Sequence, residues 1–340
     1  MKVLVTGGGG FLGSAILDRL ADVAEERRSF SRGAYPELEA KGITHHRGSL
    51  TDLDALRAAS KGVDVIFHTA ALPGAWGKYQ TYFDANVLGS RHVLQAAREN
   101  GVRAIVHTST PSVVHADEGI QGADESMPLS THFLAHYPKT KAIAEVEMLS
   151  ASCADLKICA LRPHLIWGPG DRHLIPRLAQ RALSGRLKMI GPPAPMVDSC
   201  YIDDAAEAHY LAAVDLLDPG KSAGKAYFIS QGEPWPIDEL TQQLLASVGV
   251  DWQKRYVSRS IAYAAGVVCE TWFRFFGIRR EPPMTRFIAS QLSTDHWYCI
   301  DAAKRDFGFA PARTIADALD ELRKAVDTSA YVVQKPPGEG

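Results

Sequence analysis

A chain of 340 residues is long enough to bury roughly three quarters of the surface its unfolded form exposes, enough for one large domain or two lobes. Its content of 46 % hydrophobic and 22 % charged residues is that of an ordinary globular protein, and a net charge of −2 with no basic block gives no footprint for nucleic acid. The five cysteines, Cys153, Cys159, Cys200, Cys269 and Cys299, are odd in number and form no C-x-x-C pair, so they read as reduced core thiols of a cytosolic protein rather than bridges or metal ligands. A fold that starts at Lys2 leaves no room for a charged and then apolar leader, and a cytoplasmic location is the expectation.

Val3-Leu4-Val5-Thr6 is a β-branched and aliphatic run too short for a helix. It ends in four glycines, Gly7 to Gly10, and an amphipathic pattern through Ala15, Ile16 and Leu20 follows at once, continuing to about Ala24. That is strand, tight turn, helix. Glycine permits positive φ and lets backbone approach a ligand with no Cβ in the way. The helix N-terminus behind it offers unpaired N–H groups and partial positive charge, a seat for a pyrophosphate. In this context Gly7, Gly10 and Gly13, three apart each time, mark a dinucleotide site. Arg27 to Phe30 reads as the second strand. Folds that take NAD place an acidic residue at that strand's end, whereas this chain reads Ser29-Phe30-Ser31-Arg32-Gly33. An arginine there accommodates the 2′-phosphate of NADP.

Thr44 to Arg47 is the third strand, followed by a turn through Ser49, Leu50 and Asp52 and a helix over Asp54 to Ala59. Val63 to His68 is a strong strand ending in Thr69-Ala70-Ala71, small residues that leave room for a ligand beyond a parallel strand. His68 is assigned a structural role. Residues Leu72 to Tyr82 form an aromatic-rich loop that either lines a pocket or packs on its own scaffold. A helix over Asn86 to Ala97 and a strand over Ala104 to Thr108 complete a strand–helix alternation that predicts a doubly wound parallel sheet.

Ser109-Thr110 extends that last strand with hydroxyls. Tyr137-Pro138-Lys139-Thr140-Lys141 opens a helix continuing over Ala142 to Leu149, with Pro138 suited to the first turn. Tyr137 and Lys141 are four apart and share a helix face. A phenol is a poor acid–base group at neutral pH, and a nearby ammonium is expected to lower its pKa. A hydroxyl from Ser109 or Thr110 would then hold the substrate oxygen.

These residues, with Asn86, Leu161-Arg162-Pro163-His164-Leu165-Ile166-Trp167-Gly168-Pro169-Gly170-Asp171 and Val197 to Asp204, resemble the extended short-chain dehydrogenase/reductases, in their 3β-hydroxysteroid dehydrogenase-like branch. Gly74 to Gly77, Thr110 to Val113, Lys225 to Pro234 and Phe287 to Tyr298 look closest to the bacterial 2-alkyl-3-oxoalkanoate reductases of long-chain olefin biosynthesis. The resemblance spans nearly the whole chain. It implies a Rossmann-type sheet with a smaller, discontinuous C-terminal lobe: residues 1–168 bind NADP(H), the chain returns to the sheet near 198–230, residues 169–197 and 231–330 form the substrate lobe, and 331–340 form a flexible tail.

Carried over by position, Tyr137 is the proton donor and Lys141 its pKa tuner and ribose ligand. The serine of the pattern falls on Thr110, with Ser109 as the neighbouring alternative. Gly7, Gly10, Phe11, Leu12 and Gly13 would meet the pyrophosphate, Leu50 the adenine, and Pro163, Leu165 and Ile166 the nicotinamide edge, with Thr69, Ala70, Ala71, Asn86 and Thr108 completing the cofactor set. Ser49 departs from an Asp-Leu pattern beside the adenine.

The implied reaction is reduction of a long-chain 2-alkyl-3-oxoalkanoic acid to the 3-hydroxy acid. The alternatives are a 3β-hydroxysteroid or sterol dehydrogenase and a non-catalytic NADP-binding redox sensor. Implied partners are the β-lactone synthetase and β-lactone decarboxylase of the same pathway, and a homodimer. Arg172, His164 and His173 are candidates for a substrate carboxylate. Ile261 to Ile278 carries three readings: a helix of the substrate lobe, an interfacial membrane helix giving peripheral contact, or a lid over an alkyl chain, the favoured one being a lobe helix that lines an apolar tunnel. Replacing Arg32 with Ala is expected to weaken NADPH binding far more than NADH binding in a fluorescence titration. Equal losses would reject the assignment of Arg32.

Overall fold

The computed structural model describes residues 1–114 and 119–326, so the expected tail at 331–340 lies outside the described residues. Seven strands form one parallel sheet: β1 (Lys2–Thr6), β2 (Glu26–Ser31), β3 (Thr44–Arg47), β4 (Val65–His68), β5 (Ala104–Thr108), β6 (Lys157–Pro163) and β7 (Ala226–Ile229). Their order is β7-β6-β5-β4-β1-β2-β3. The order reverses between β1 and β4, the switch point where a doubly wound sheet opens a crevice at its C-terminal edge. Val3, Val5, Val65, Phe67, Val106 and Leu161 pack on one face of this Rossmann-type sheet, and Leu4, Ile66, Ile105 and Ile158 on the other. Burial on both faces explains the nearly continuous apolar runs in β1, β4 and β5.

Most predicted elements stand where the periodicity placed them. The first helix, Phe11–Arg19, stops earlier than expected, because residues 20–24 turn back to deliver Glu25 N–H to the Met1 carbonyl at 2.9 Å. The helix expected from Asn86 begins as a π-helical turn, Asp84–Leu88, before Gly89–Glu99. Such bulges are widened turns that place side chains off the regular α path. Near residue 200 the chain comes back against the sheet as a helix: Cys200–Tyr201 pairs with Ile166–Trp167, and Ile202–Leu217 then packs its alanines against the sheet. A separate core gathers Trp167, Ile175, Leu244, Ile315 and Leu322 from the later segments. Cys159 and Cys200 are buried and Cys153 exposed, all unbridged.

The helix His136–Ser150 is held to β6 by an ion pair: Arg162 donates to both carboxylate oxygens of Glu145 at 2.5 and 3.0 Å, with both side chains buried. The guanidinium also lies 5.1 Å from the Phe228 ring centre, and Phe228 stacks on Tyr298. Removing one partner leaves a buried charge uncompensated. Glu145→Ala should therefore lower unfolding free energy by about 3–5 kcal/mol in urea titrations.

Candidate active site

The glycine turn is shaped by what surrounds it. Gly7 has φ of +76°, and a Cβ there would touch the backbone of Ala70 at 3.0 Å, so the exits of β1 and β4 lie against each other as the crevice requires. A Cβ at Gly13 would sit 2.3 Å from the Gly7 carbonyl oxygen, and one at Gly9 would enter the Tyr35 ring. No side chain caps the helix that follows, and its first turn carries no acidic residue. Its N-terminal amides and positive dipole end thus stay available to an anion. A cleft of about 720 Å³ opens beside Gly9, Gly10 and Phe11, and Arg172 and Arg313 line it together with Glu37, Asp203 and Glu207. A dinucleotide pyrophosphate fits this cradle of closely packed glycine backbone.

Arg32 stands exposed just past β2, next to Ser31, whose hydroxyl accepts from Gly9 N–H at 3.3 Å. It has no hydrogen bond or ion pair among the described residues, and it does not line the cleft, whereas Glu37 does. Thr69 donates to the Thr6 carbonyl at 2.7 Å, fixing the Thr69-Ala70-Ala71 exit. Leu50 packs against Gly89, and its carbonyl bonds His92. Asn86 is spent on structure: its amide bonds the Leu72 backbone in both directions, at 2.7 and 3.2 Å, and donates to Thr140 at 3.0 Å. Its side chain ties the aromatic loop to the active-site helix, which leaves its expected place on the cofactor without a free amide. Leu165 adopts φ of +42°, a strained state for a branched residue, between Pro163 and Ile166.

Tyr137 sits half-buried in the first turn of its helix and shares a hydrogen bond with Thr110. Burial pushes its phenol up to about 12, with the Thr110 bond opposing. The expected lowering by Lys141 does not operate in the protein alone. The ammonium instead donates to the Thr108 carbonyl at 2.7 Å and lies 3.3 Å from His107 Nε2, while burial brings its own pKa down to about 8. Of the two candidate hydroxyls, Thr110 reaches Tyr137, and the buried Ser109 hydroxyl has no partner among the described residues. Thr108 turns its own hydroxyl to His209 at 2.9 Å.

Sequence reasoning missed His107. It faces His68 across β4 and β5, ring centres 5.2 Å apart, and burial keeps both neutral, His68 at about 3 and His107 well below its usual value. His68 bridges Thr6 at 2.8 Å and Ser90 at 3.0 Å, the structural role assigned to it. A signal existed: both strands end in His-Thr, and neighbouring parallel strands bring such endings into register.

The three candidates for a substrate carboxylate are not brought together. His164 bonds the buried Asp198 and packs edge-on against His296 and Tyr298. Arg172 lies on the glycine-turn cleft, and His173 is exposed at the start of Leu174–Leu183, whose first amides are taken by the Asp171 carboxylate. A second cleft, about 820 Å³, lies instead between the aromatic loop and the helix Arg259–Phe275, beside the residues leading into Tyr137. Trp76, Tyr82, Phe273 and Ile278 line it together with Arg274 and Arg279. Trp76 donates to the Ile278 carbonyl at 3.1 Å, and Tyr82 donates back to the Trp76 carbonyl, so the loop both lines the cleft and packs on itself.

Fold and site together define a Rossmann-type oxidoreductase. The profile of the 3-beta hydroxysteroid dehydrogenase/isomerase family matches residues 4–259, and the chain belongs to that family. It is 48 % identical over 327 residues to a 2-alkyl-3-oxoalkanoate reductase of Stenotrophomonas maltophilia, covering 95 % of this chain and 98 % of the relative. It is 43 % identical over 330 residues to one of Shewanella oneidensis, covering 95 % and 85 %. Among solved structures, a dTDP-glucose 4,6-dehydratase double mutant of Streptomyces venezuelae with NAD bound superposes with a TM-score of 0.72 at 25 % identity, covering 96 % of each chain.

Tyr137→Phe should cut turnover by about 10²–10⁴-fold, the usual worth of a general acid, while leaving dinucleotide binding measurable by titration. In the same assay Thr110→Ala should lose activity and Ser109→Ala should keep most of it. The reverse order would move the substrate contact to Ser109.

Proposed function

We propose that this chain is an NADP(H)-dependent reductase of long-chain 2-alkyl-3-oxoalkanoic acids, producing the 2-alkyl-3-hydroxy acid for olefinic hydrocarbon synthesis. The observation that carries the reading is the likeness over nearly full length to relatives of that description, joined to a cleft that pairs aromatic walls with two arginines. A long-chain β-keto acid has both features, an alkyl body and a carboxylate. Arg279 is exposed at the cleft and Arg274 lies 5.6 Å from the Trp76 ring centre, so either guanidinium can meet that carboxylate.

The dihydronicotinamide, when bound, supplies the hydride that reaches the 3-carbon. The chain's own part is the proton. With its pKa pushed up to about 12, Tyr137 is a phenol at neutral pH and holds the proton that the 3-oxygen needs as it gains charge. Thr110 shares its hydrogen bond with Tyr137 and can hold the same oxygen. Lys141, at about 8, retains its proton at neutral pH and offers positive charge to the phenolate left behind. Arg32 supports NADP over NAD by its charge and by the lack of a carboxylate at the end of β2.

β-Keto acids decarboxylate, so the test runs in the oxidative direction with NADP⁺ or NAD⁺. A long-chain 2-alkyl-3-hydroxyalkanoic acid and a 3β-hydroxysteroid are offered in parallel. Turnover of the hydroxy acid with NADP⁺ is expected, its rate rising with pH because oxidation needs the Tyr137 phenolate. Turnover of the steroid alone would retain the catalytic residues and discard the substrate.

A further inference from the structure

The helix Arg259–Phe275 is built inside out for a globular protein. Its buried positions are Ala262, Gly266, Glu270 and Phe273, while its other large apolar residues, among them Ile261, Val268, Trp272 and Phe275, face solvent. Phe275 is 83 % exposed, Val268 66 %, Ile261 64 % and Trp272 59 %, and Phe276 follows at 54 %. The inner face explains this orientation. A Cβ at Gly266 would lie 2.7 Å from the Arg286 backbone nitrogen, so the helix sits close against the segment starting at Thr285. Glu270 closes the contact, accepting from Arg286 N–H at 2.7 Å and pairing with its guanidinium at 2.9 Å. The glycine and the clasped carboxylate fix which side points inward, and the apolar stripe is left outside. Such a run of exposed aromatic and aliphatic side chains marks a contact surface.

Charge says what that surface meets. Residues 253–286 hold seven Lys and Arg against two Glu, in a chain whose net charge is −2. Of the two acids, Glu270 is neutralised by Arg286 and Glu281 pairs with Arg177. Arg255 and Arg259 precede the stripe and Arg280 follows it, so cations stand at both ends of the apolar face, while Lys254 is paired with Asp238 and Arg274 and Arg279 line the second cleft. Trp and Phe on one side with Lys and Arg around them are the composition of a helix lying in the plane of a membrane interface. No helix among the described residues is long and apolar enough to cross a bilayer, so the geometry suits surface contact only.

We propose that the outer face of Arg259–Phe275 docks on the anionic surface of a lipid bilayer. The second cleft shares this helix through Phe273 and Arg274, so docking brings the cleft beside the lipid phase where long-chain amphiphiles partition. The proposal itself rests on the face and its charge, not on the substrate reading.

Flotation of the full chain with vesicles tests it. One set contains phosphatidylglycerol and phosphatidylcholine, the other phosphatidylcholine alone. The chain should float with the anionic set, at least tenfold less with the neutral set, and less as salt is raised. Val268→Ser, Trp272→Ser and Phe275→Ser combined should abolish flotation with dinucleotide binding and melting temperature unchanged. Arg280→Glu alone should weaken it. Failure of the chain to float, equal flotation with neutral vesicles, or flotation indifferent to both variants would overturn the proposal. So would light scattering that shows a dimer turned into a monomer by the triple variant, since the face would then belong to a second copy of the chain.

Discussion

The Arg162–Glu145 pair is the joint between the parallel sheet and the helix that carries Tyr137 and Lys141. Arg162 belongs to β6, Glu145 lies one turn beyond Lys141 on the helix that carries Tyr137, and the two are joined by paired hydrogen bonds in a buried setting. The strand β6 is hydrogen-bonded in register to β5, with Thr108 opposite Leu161, and β5 delivers both the Thr108 carbonyl and Thr110. Helix, pair and two strands therefore close a rigid loop of contacts around the phenol. Burying the pair costs solvation that the ionic contact only partly offsets, and Arg162 Nη1 finds no partner among the described residues. What the arrangement gains is position: a 2.7 Å hydrogen bond from Lys141 to backbone leaves the ammonium little freedom.

Local chemistry was legible in the sequence, and partners distant along the chain were not. The glycine turn announces itself because strand, turn and helix are contiguous, and Tyr137 with Lys141 because a helix brings i and i+4 together. The direction of the Tyr137 shift was not legible. It depends on enclosure of the phenol and on Lys141 being drawn to Thr108 and His107, which lie over thirty residues away and meet it only through the sheet. Asn86 shows the same limit. The resemblance implied a cofactor contact for it, and its amide bonds Leu72 and Thr140 from a π-helical turn, partners that no local pattern announces. For Arg259–Phe275, apolar content and helical length were plain, but which side faces inward was set by Gly266 meeting Thr285 and Glu270 meeting Arg286.

Two clefts draw their walls from different parts of the chain. The glycine-turn cleft is bounded by the turn and its helix, by the start of Ile202–Leu217 and by the Pro169–Arg172 and Ala312–Arg313 segments, the aromatic cleft by residues 72–82, 134–136 and 270–281. Tyr137 lies in the helical turn that follows Leu134 and Ala135 of the second cleft's wall, and Thr110, just past β5, shares a hydrogen bond with it.

The glycine turn and the end of β2 differ in what they are made of. At Gly7, Gly9 and Gly13 the fit is backbone against backbone or ring, with no space for a side chain of any kind. At Ser31-Arg32-Gly33 the determinant is one exposed side chain, which no hydrogen bond or ion pair ties to another described residue. The glycine turn is thus built into the packing of the sheet, so that a side chain at any of these three positions would force its neighbours to move, whereas the side chain at position 32 can be exchanged with that packing left as it is.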